Sequence, residues 1–280
     1  MKKGTFSTVI LIIVLIAGLS LMLYPSFSNW WNSSRQTQVI TQYAEAVANM
    51  DDEAYAPILE SARQYNGDLL NRFNSYLLEG DLKDRYWQEL NFSGDGTMGF
   101  VEIPDIDVML PIYHGTDETV LQVAIGHIEW SSLPTGGEST HCVISGHRGL
   151  PSARLFTDLD KLAVGDVFTL HVLNEILTYQ VDQIKIVEPH ITDDLMIVEG
   201  EDYCTLVTCT PYGVNSHRML VRGTRIENAK EVKVKRVTAD AVQIEPIIVA
   251  PVLAAPILLV LLIMLMIPKP KKKKRRSDTP

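Results

Sequence analysis

Residues 203–222, YCTLVTCTPYGVNSHRMLVR, decide both the fold and the chemistry of this chain. They predict a strand over residues 204–208, then Cys209, a turn over residues 210–213 and a second strand with Arg218 near its start. A thiol at a strand end is exposed but rigidly held, and a neighbouring cation favours the nucleophilic thiolate. The stretch therefore predicts a β-hairpin that carries a reactive cysteine.

A second segment, SGHRG at residues 145–149, supplies the acid or base that such a thiol needs. His147 ends a predicted strand and lies between glycines, which allow a substrate backbone to approach closely. It would protonate a leaving amine and deprotonate an incoming one, while Arg218 would stabilise an oxyanion. His217 is the rival base because it directly precedes Arg218. Strand alternation, however, sends it to the face opposite Arg218.

The segments TLVTCTPYGVNSHR (residues 205–218) and SGHRGLPSARLFTDLDKL (residues 145–162) resemble the sortases, cysteine transpeptidases of Gram-positive cell surfaces. The resemblance is greatest to the class C, pilus-assembling branch and covers about residues 35–228. It implies a mainly β fold: an eight-stranded sortase-type β-barrel with short helices and an N-terminal helical extension. It also implies that Cys209, His147 and Arg218 are catalytic. Ser145, Thr208 and Arg148 are candidates for the substrate groove.

The resemblance implies a reaction as well. Cys209 would attack the Thr–Gly bond of a Leu-Pro-x-Thr-Gly-like sorting signal on a pilin or surface protein, and an amine would resolve the thioacyl enzyme. In class C enzymes that amine is a pilin lysine. Two alternatives stay open: anchoring of surface proteins to cell-wall peptidoglycan, and a non-catalytic membrane-tethered scaffold. A monomer without a cofactor or metal is expected, although some sortases bind calcium near a loop like the acidic one at residues 193–202.

Charge excludes one class of partner. The formal net charge is -9, from 25 basic and 34 acidic residues. Nine of the basic residues lie at the termini, and setting them aside with Asp278 leaves 16 basic against 33 acidic residues in the middle of the chain. Such a middle repels nucleic acid and attracts lysine-rich partners.

Two apolar stretches predict membrane spans. Residues 9–24 follow Lys2 and Lys3, and residues 247–267 precede a basic cluster. Both termini would then be cytoplasmic and the middle of the chain extracellular, on the cell membrane of a Gram-positive bacterium. The first stretch is read as an uncleaved anchor, with a cleaved signal peptide as the alternative.

The predicted organisation has six segments. These are an N-terminal signal anchor or transmembrane helix (1–25), N-terminal helices with a candidate lid (26–96), the catalytic β-barrel (97–228), a tether (229–246), a second transmembrane helix (247–267) and a basic cytoplasmic tail (268–280).

Within the middle of the chain, helical periodicity begins at Thr37, after a polar link over residues 26–35, and recurs over residues 58–73. Both helices are expected to pack on the barrel. Further short helices are predicted at residues 120–125 and 153–162. Strands are predicted at residues 98–103, 108–113, 141–145, 167–172, 176–187, 204–208 and 218–226.

The connector at residues 74–90 is ambiguous. Class C relatives carry a lid here that is pinned by an Asp-Pro-aromatic motif, which this sequence lacks. Either the lid is absent, or other residues hold it. The candidate lid residues are Leu77, Leu78, Glu79, Tyr86 and Trp87.

Cys142 and Cys204 each lie five residues before a proposed catalytic residue. If the strands before His147 and Cys209 are parallel neighbours, the two thiols lie side by side. Their odd spacing turns them away from the catalytic face. Buried free thiols are predicted, with a disulfide as the alternative.

Overall fold

A computed structural model of the protein describes residues 3–70 and 80–228. The helices are α1 (Lys3–Ala48), α2 (Asp52–Leu70), α3 (Asp81–Tyr86) and α4 (Glu118–Leu121). The strands are β1 (Thr97–Ile103), β2 (Val108–His114), β3 (Ile125–His127), β4 (Thr140–Ser145), β5 (Val167–Val172), β6 (Glu175–Val187), β7 (Asp202–Thr210) and β8 (His217–Arg225).

The eight strands form a closed barrel in the order β1-β2-β3-β4-β7-β8-β6-β5, and β5 pairs with β1 to complete it. The pairs β2–β3 and β4–β7 are parallel, whereas the other neighbours are antiparallel. Closure leaves no unpaired sheet edge. The predicted eight-stranded barrel with short helices is confirmed.

The barrel interior is apolar because every second residue of a strand points inward. In β5, Phe168, Leu170 and Val172 are buried and alternate with half-buried residues. Phe168 stacks on Tyr179 of β6 with ring centroids 5.6 Å apart. A Cβ at Gly223 would lie 2.8 Å from the Phe168 ring, so this position in β8 accepts only glycine without a shift.

The C-terminal part of α1 and all of α2 pack on the barrel, as predicted. The Tyr43 hydroxyl donates to the Met98 carbonyl at 2.9 Å and accepts from the Leu173 N–H at 2.8 Å. From α2, the Asn66 side chain accepts from the Leu133 N–H at 2.7 Å and donates to its carbonyl at 3.1 Å. These bonds satisfy backbone groups of two loops and of the irregular start of β1 that would otherwise be buried without partners.

The predicted polar link over residues 26–35 is wrong, because α1 continues through it from Lys3 to Ala48. The hydroxyls of Ser34 and Thr37 bond to carbonyls four residues earlier, at Trp30 and Ser33, so they do not compete with the helix. The segment Val9–Ala48 contains a window long and apolar enough to cross a membrane. The tether, the second predicted span and the basic tail, residues 229–280, lie outside the described residues.

Two other helix predictions were wrong. Residues 153–162 form only a 3₁₀ turn at Leu159–Lys161, because Leu155 takes a positive φ of 41° that a helix excludes. The helix expected at residues 120–125 ends at Leu121, and Ile125 begins β3. A strand of three residues is too short to show alternation in a sequence.

Candidate active site

The hairpin of β7 and β8 sets Cys209 directly opposite Arg218. The two residues are Cα partners in the antiparallel ladder, one position before the register ends at Thr210 and His217 in the direction of the turn. Strand β7 thus continues past its predicted end at residue 208 and includes Cys209. Cys209 is half-buried, a partial exposure that a reacting thiol requires.

His147 follows β4 at the same end of the barrel. Strands β4 and β7 run parallel, with Ser145 opposite Val207. Beyond the ladder, the Gly146 N–H donates to the Val207 carbonyl at 3.0 Å, and the Thr208 hydroxyl donates to the Gly146 carbonyl at 2.8 Å. The chain therefore stays beside β7 up to His147, so the three predicted residues come to one end of three adjacent strands.

Arg218 keeps its charge available. One guanidinium nitrogen donates to the carbonyls of Asn215 at 3.2 Å and His217 at 3.1 Å, which fix the side chain within its own hairpin. Among the residues that the structure describes, Arg218 forms no ion pair with a carboxylate. A guanidinium without a carboxylate partner can stabilise the negative charge that develops on a substrate oxygen during a reaction.

Arg148 joins the loop after His147 to the turn after Cys209. Its side chain is only 10% exposed and pairs with Asp160. A second nitrogen lies 3.5 Å from the Thr210 hydroxyl, and the guanidinium lies 6.0 Å from the Tyr212 ring centroid. The other two groove candidates also belong to the barrel, since Ser145 of β4 pairs with Gly126 and Val207 in the neighbouring strands and Thr208 is buried.

The glycines around His147 serve internal packing. A Cβ at Gly146 would lie 2.6 Å from Phe156 and 2.8 Å from Ile125. Gly149 has a φ of +78°, and a Cβ there would lie 2.9 Å from the Tyr212 ring. The space that these glycines leave open is therefore filled by side chains of the protein itself, which pack the His147 loop against the barrel.

Helix α1 also reaches this loop. The Asn29 side chain accepts from the Arg154 N–H at 2.9 Å, and the Asn32 amide donates to the Ser152 carbonyl at 2.9 Å. The segment that follows His147 is thus held by the helix on one side and by the barrel on the other.

An apolar strip lies on the barrel face that carries Cys209. Val143 of β4, Val207 of β7 and Leu220 of β8 form it, and Leu195 packs on them from the loop between β6 and β7. Ile128, Trp130 and Val187 border the strip. Because alternate residues of a strand share a face, the strip lies on the same side of the sheet as Cys209, and the loop that carries Leu195 covers it.

His141 ties the loop between β6 and β7 to this strip. Its Nδ1 lies 2.8 Å from the Met196 carbonyl, and its Nε2 lies 2.7 Å from the Thr205 hydroxyl. Burial lowers the pKa of His141 to about 4, so the imidazole is neutral at neutral pH. In that form Nδ1–H donates to Met196 while Nε2 accepts from Thr205.

Cys142 and Cys204 are Cα partners in the parallel ladder of β4 and β7, which confirms the predicted side-by-side placement. Both are buried free thiols in the barrel core, on the face opposite Cys209. Burial raises the pKa of the Cys204 thiol well above its usual range, which makes it a poor nucleophile.

The candidate lid residues divide into two groups. Leu77, Leu78 and Glu79 lie outside the described residues. Tyr86 is fully buried; its hydroxyl lies 3.1 Å from His127 Nδ1 and accepts from the Gly115 N–H at 2.9 Å. Trp87 stacks on His114 and covers Gly115, so both aromatic residues hold α3 against the barrel.

Sequence reasoning missed Glu118. Its Oε2 lies 3.7 Å from Nε2 of His147, although the two residues are far apart in the chain. No sequence pattern gives this contact, because it depends on the pairing of β2 with the unpredicted strand β3.

Other polar groups lie away from these residues. A cavity of about 570 Å³ contains Asp202 and Arg225 in its lining, at the start of β7 and the end of β8 and therefore at the opposite end of the barrel from Cys209. Within residues 3–70 and 80–228, no three His, Cys, Asp or Glu side chains are grouped to hold a metal ion.

Known proteins are similar to this chain in sequence and fold. The family model of the sortase domain matches residues 101–226. The crystal structure of sortase C1 from Streptococcus agalactiae is 52% identical, with a TM-score of 0.67 over 68% of this chain and 99% of that one. A sortase C from Clostridium perfringens, solved with the C-terminal cell wall sorting motif, is 43% identical, with a TM-score of 0.61 over 69% of this chain and 100% of that one.

A curated relative is more distant. Sortase D of Bacillus subtilis is 31% identical over 131 residues, which are 46% of this chain and 63% of the relative's length. The similarity to the solved structures therefore extends beyond the barrel, whereas this one covers less than two thirds of the relative.

Proposed function

Because this chain belongs to the sortase family, we propose that it is a membrane-anchored cysteine transpeptidase that assembles pili. It cleaves a Leu-Pro-x-Thr-Gly-like sorting signal between threonine and glycine and joins the threonine to a pilin lysine. The observation that carries the proposal is the register that sets Cys209 opposite Arg218, with His147 beside the same strand.

In this mechanism the Cys209 thiolate attacks the threonine carbonyl. Arg218 stabilises the oxyanion of the tetrahedral intermediate, and its lack of a carboxylate partner among the described residues supports that role. His147 protonates the departing glycine amine, which leaves a thioacyl enzyme. The half-buried apolar residues that border the strip, Ile128, Trp130 and Val187, suit the leucine and proline of the signal.

The class C relatives support a pilin as the acceptor. The structure of the 45% identical sortase C of Streptococcus pneumoniae is described as giving insight into pilin substrate specificity, and the C. perfringens enzyme was solved with a sorting motif. The acidic middle of the chain favours a lysine-bearing partner over an anionic polymer.

The apolar window in α1 supports membrane anchoring. With the predicted second span, both termini would lie in the cytoplasm and the barrel outside the cell. Anchoring would confine enzyme and membrane-bound substrates to one surface and raise their effective concentration. The enzyme is proposed to act as a monomer.

The nucleophile is tested by thioacyl capture. The full chain in detergent is incubated with a Leu-Pro-x-Thr-Gly peptide, and the acyl adduct is detected by intact mass. We expect an adduct on the unaltered protein and none on Cys209→Ala. Cys142→Ala, which removes a buried thiol instead, should retain the adduct. Cleavage of the peptide by Cys209→Ala would refute the assignment.

The acceptor is tested separately, by supplying a purified pilin or a glycine-based amine to the thioacyl enzyme. Polymer formation with the pilin lysine is expected. Transfer to the glycine amine alone would favour anchoring to the cell wall instead.

A further inference from the structure

Glu118 presents an exposed carboxylate to His147. Oε2 lies 3.7 Å from the imidazole Nε2, and the Glu118 side chain is 70% exposed. The other oxygen, Oε1, accepts from the Gln122 side-chain amide at 2.9 Å. One oxygen is therefore held by the protein, while the other faces His147 and the solvent.

The position of Glu118 is well supported by its surroundings. Helix α4 closes through bonds from the N–H groups of Val120 and Leu121 to the Asp117 carbonyl, at 2.9 and 3.0 Å. The Gln36 side chain of α1 donates to the Val123 carbonyl at 2.6 Å and so ties the segment to the long helix. These contacts fix the backbone of α4 and therefore the position from which the Glu118 side chain extends.

The contact adds little to folding. A separation of 3.7 Å is longer than a hydrogen bond, and an exposed ion pair contributes at most about 1 kcal/mol. Among the described residues, Glu118 has no lysine or arginine partner. Arg148, which follows His147, is instead neutralised by Asp160. The negative charge beside the imidazole is thus left without a cation.

We propose that Glu118 is the subsite for the ammonium group of the acceptor lysine, an inference that rests on the proposed function. A nitrogen can lie at a hydrogen-bond distance of about 2.9 Å from both Glu118 Oε2 and His147 Nε2, because the two atoms are only 3.7 Å apart. The carboxylate thus recruits the charged amine and delivers it to its base.

The bound ε-ammonium first releases one proton to solvent and becomes a nucleophilic amine. Its nitrogen attacks the thioester carbonyl, the C–N bond forms, the second proton passes to neutral His147, and the C–S bond breaks. The products are an isopeptide bond, the Cys209 thiolate and the His147 imidazolium, which is the state that begins the next cycle.

The test compares two nucleophiles on one thioacyl enzyme. Full-length protein in detergent is loaded with a Leu-Pro-x-Thr-Gly peptide and offered Nα-acetyl-lysine amide, which carries an ammonium, together with hydroxylamine, which is uncharged at neutral pH. The ratio of lysine product to hydroxamate is measured. We expect Glu118→Gln to lower this ratio about two- to fivefold, the effect of losing an exposed ion pair. Glu118→Asp should restore part of it.

Glu102→Gln is the matched control, since Glu102 lies 3.3 Å from His171 on β1 and β5, strands that do not carry the three proposed catalytic residues. It should leave the ratio unchanged. A ratio that also stays unchanged in Glu118→Gln, or a loss of both products in equal proportion, would overturn the inference while the transpeptidase assignment stands. Absence of a thioacyl enzyme in the unaltered protein would overturn the proposed function itself.

Discussion

The imidazole of His141 joins two segments that lie beside the apolar strip. It bridges the Met196 carbonyl in the loop between β6 and β7 and the Thr205 hydroxyl on β7, and it is 1% exposed. Only the neutral ring can both donate and accept in this way. The loop that covers the apolar strip therefore depends on an uncharged histidine.

This residue makes stability depend on pH. Burial lowers the folded-state pKa of His141 from 6.5 to about 4, so the unfolded chain takes up a proton first as the pH falls. The contribution is complete above about pH 6.5 and is lost between about pH 6.5 and 4, up to about 3 kcal/mol. We expect His141→Gln to flatten the fall of unfolding free energy across this window, as measured by denaturant titration.

The exposed side chain of His190 provides the comparison. Its side chain is 71% exposed, so His190→Gln should keep the slope of the unaltered protein. Equal slopes for both variants and the unaltered chain would show that His141 is not held neutral by the fold.

Residue identities at the candidate site could be predicted because they lie in two short, distinctive segments. Cys209, His147 and Arg218 come to one barrel end, where alternation and strand order place them. Glu118 could not be predicted in this way. Its proximity to His147 arises from β2–β3 pairing, and an exposed glutamate on a short helix carries no signal of its own.

At the scale of elements, the parallel pair β4–β7 organises both the site and the core. One face of the pair carries Val143 and Val207 in the apolar strip, and the other buries Cys142 beside Cys204. We predict that the full chain, unfolded without reductant, titrates three free thiols, because the buried pair is shielded from oxidants by the packed core.

The control is a second titration of the same sample after reduction, which gives the signal expected for three thiols. A count of one before reduction would mean that Cys142 and Cys204 are bridged. A count of three in both samples would agree with the structure.

Strand bounds could be predicted closely for the β5–β6 hairpin. Strand β5 matches its predicted bounds, and β6 begins one residue early. Residues 153–162 have apolar spacing typical of a helix, but tertiary contacts override it. Phe156 and Leu159 fill the core while the Phe156 N–H donates to the His147 carbonyl at 3.1 Å. Local helix propensity does not reflect contacts with residues that are distant in the sequence.

At the scale of the whole molecule, residues 28–48 of α1 and all of α2 belong to the same compact unit as the barrel. Tyr43 joins α1 to two separate barrel segments, through Met98 and Leu173, and burial raises its pKa to about 12. A sequence shows that such helices have one apolar face. It does not show which backbone groups a tyrosine on that face will satisfy.

Tyr43→Phe tests this link. It keeps the ring but leaves the Leu173 N–H and the Met98 carbonyl without this partner, so we expect a loss of about 1–3 kcal/mol in unfolding free energy. Thr41→Val, whose exposed hydroxyl only bonds within α1, should change stability by less than about 0.5 kcal/mol. Equal effects of the two variants in denaturant titration would contradict the link.

The register between β4 and β7 limits how this protein can vary in length. Side chains alternate with a period of two, so inserting or deleting one residue within β7 would turn Cys209 toward the interior and bring a core residue to the surface. The same change in residues 211–216 would only alter a turn between fixed ends, at a small cost in loop closure. Homologous chains should therefore differ in the size of that turn, while the number of residues separating Cys204 from Cys209 stays constant.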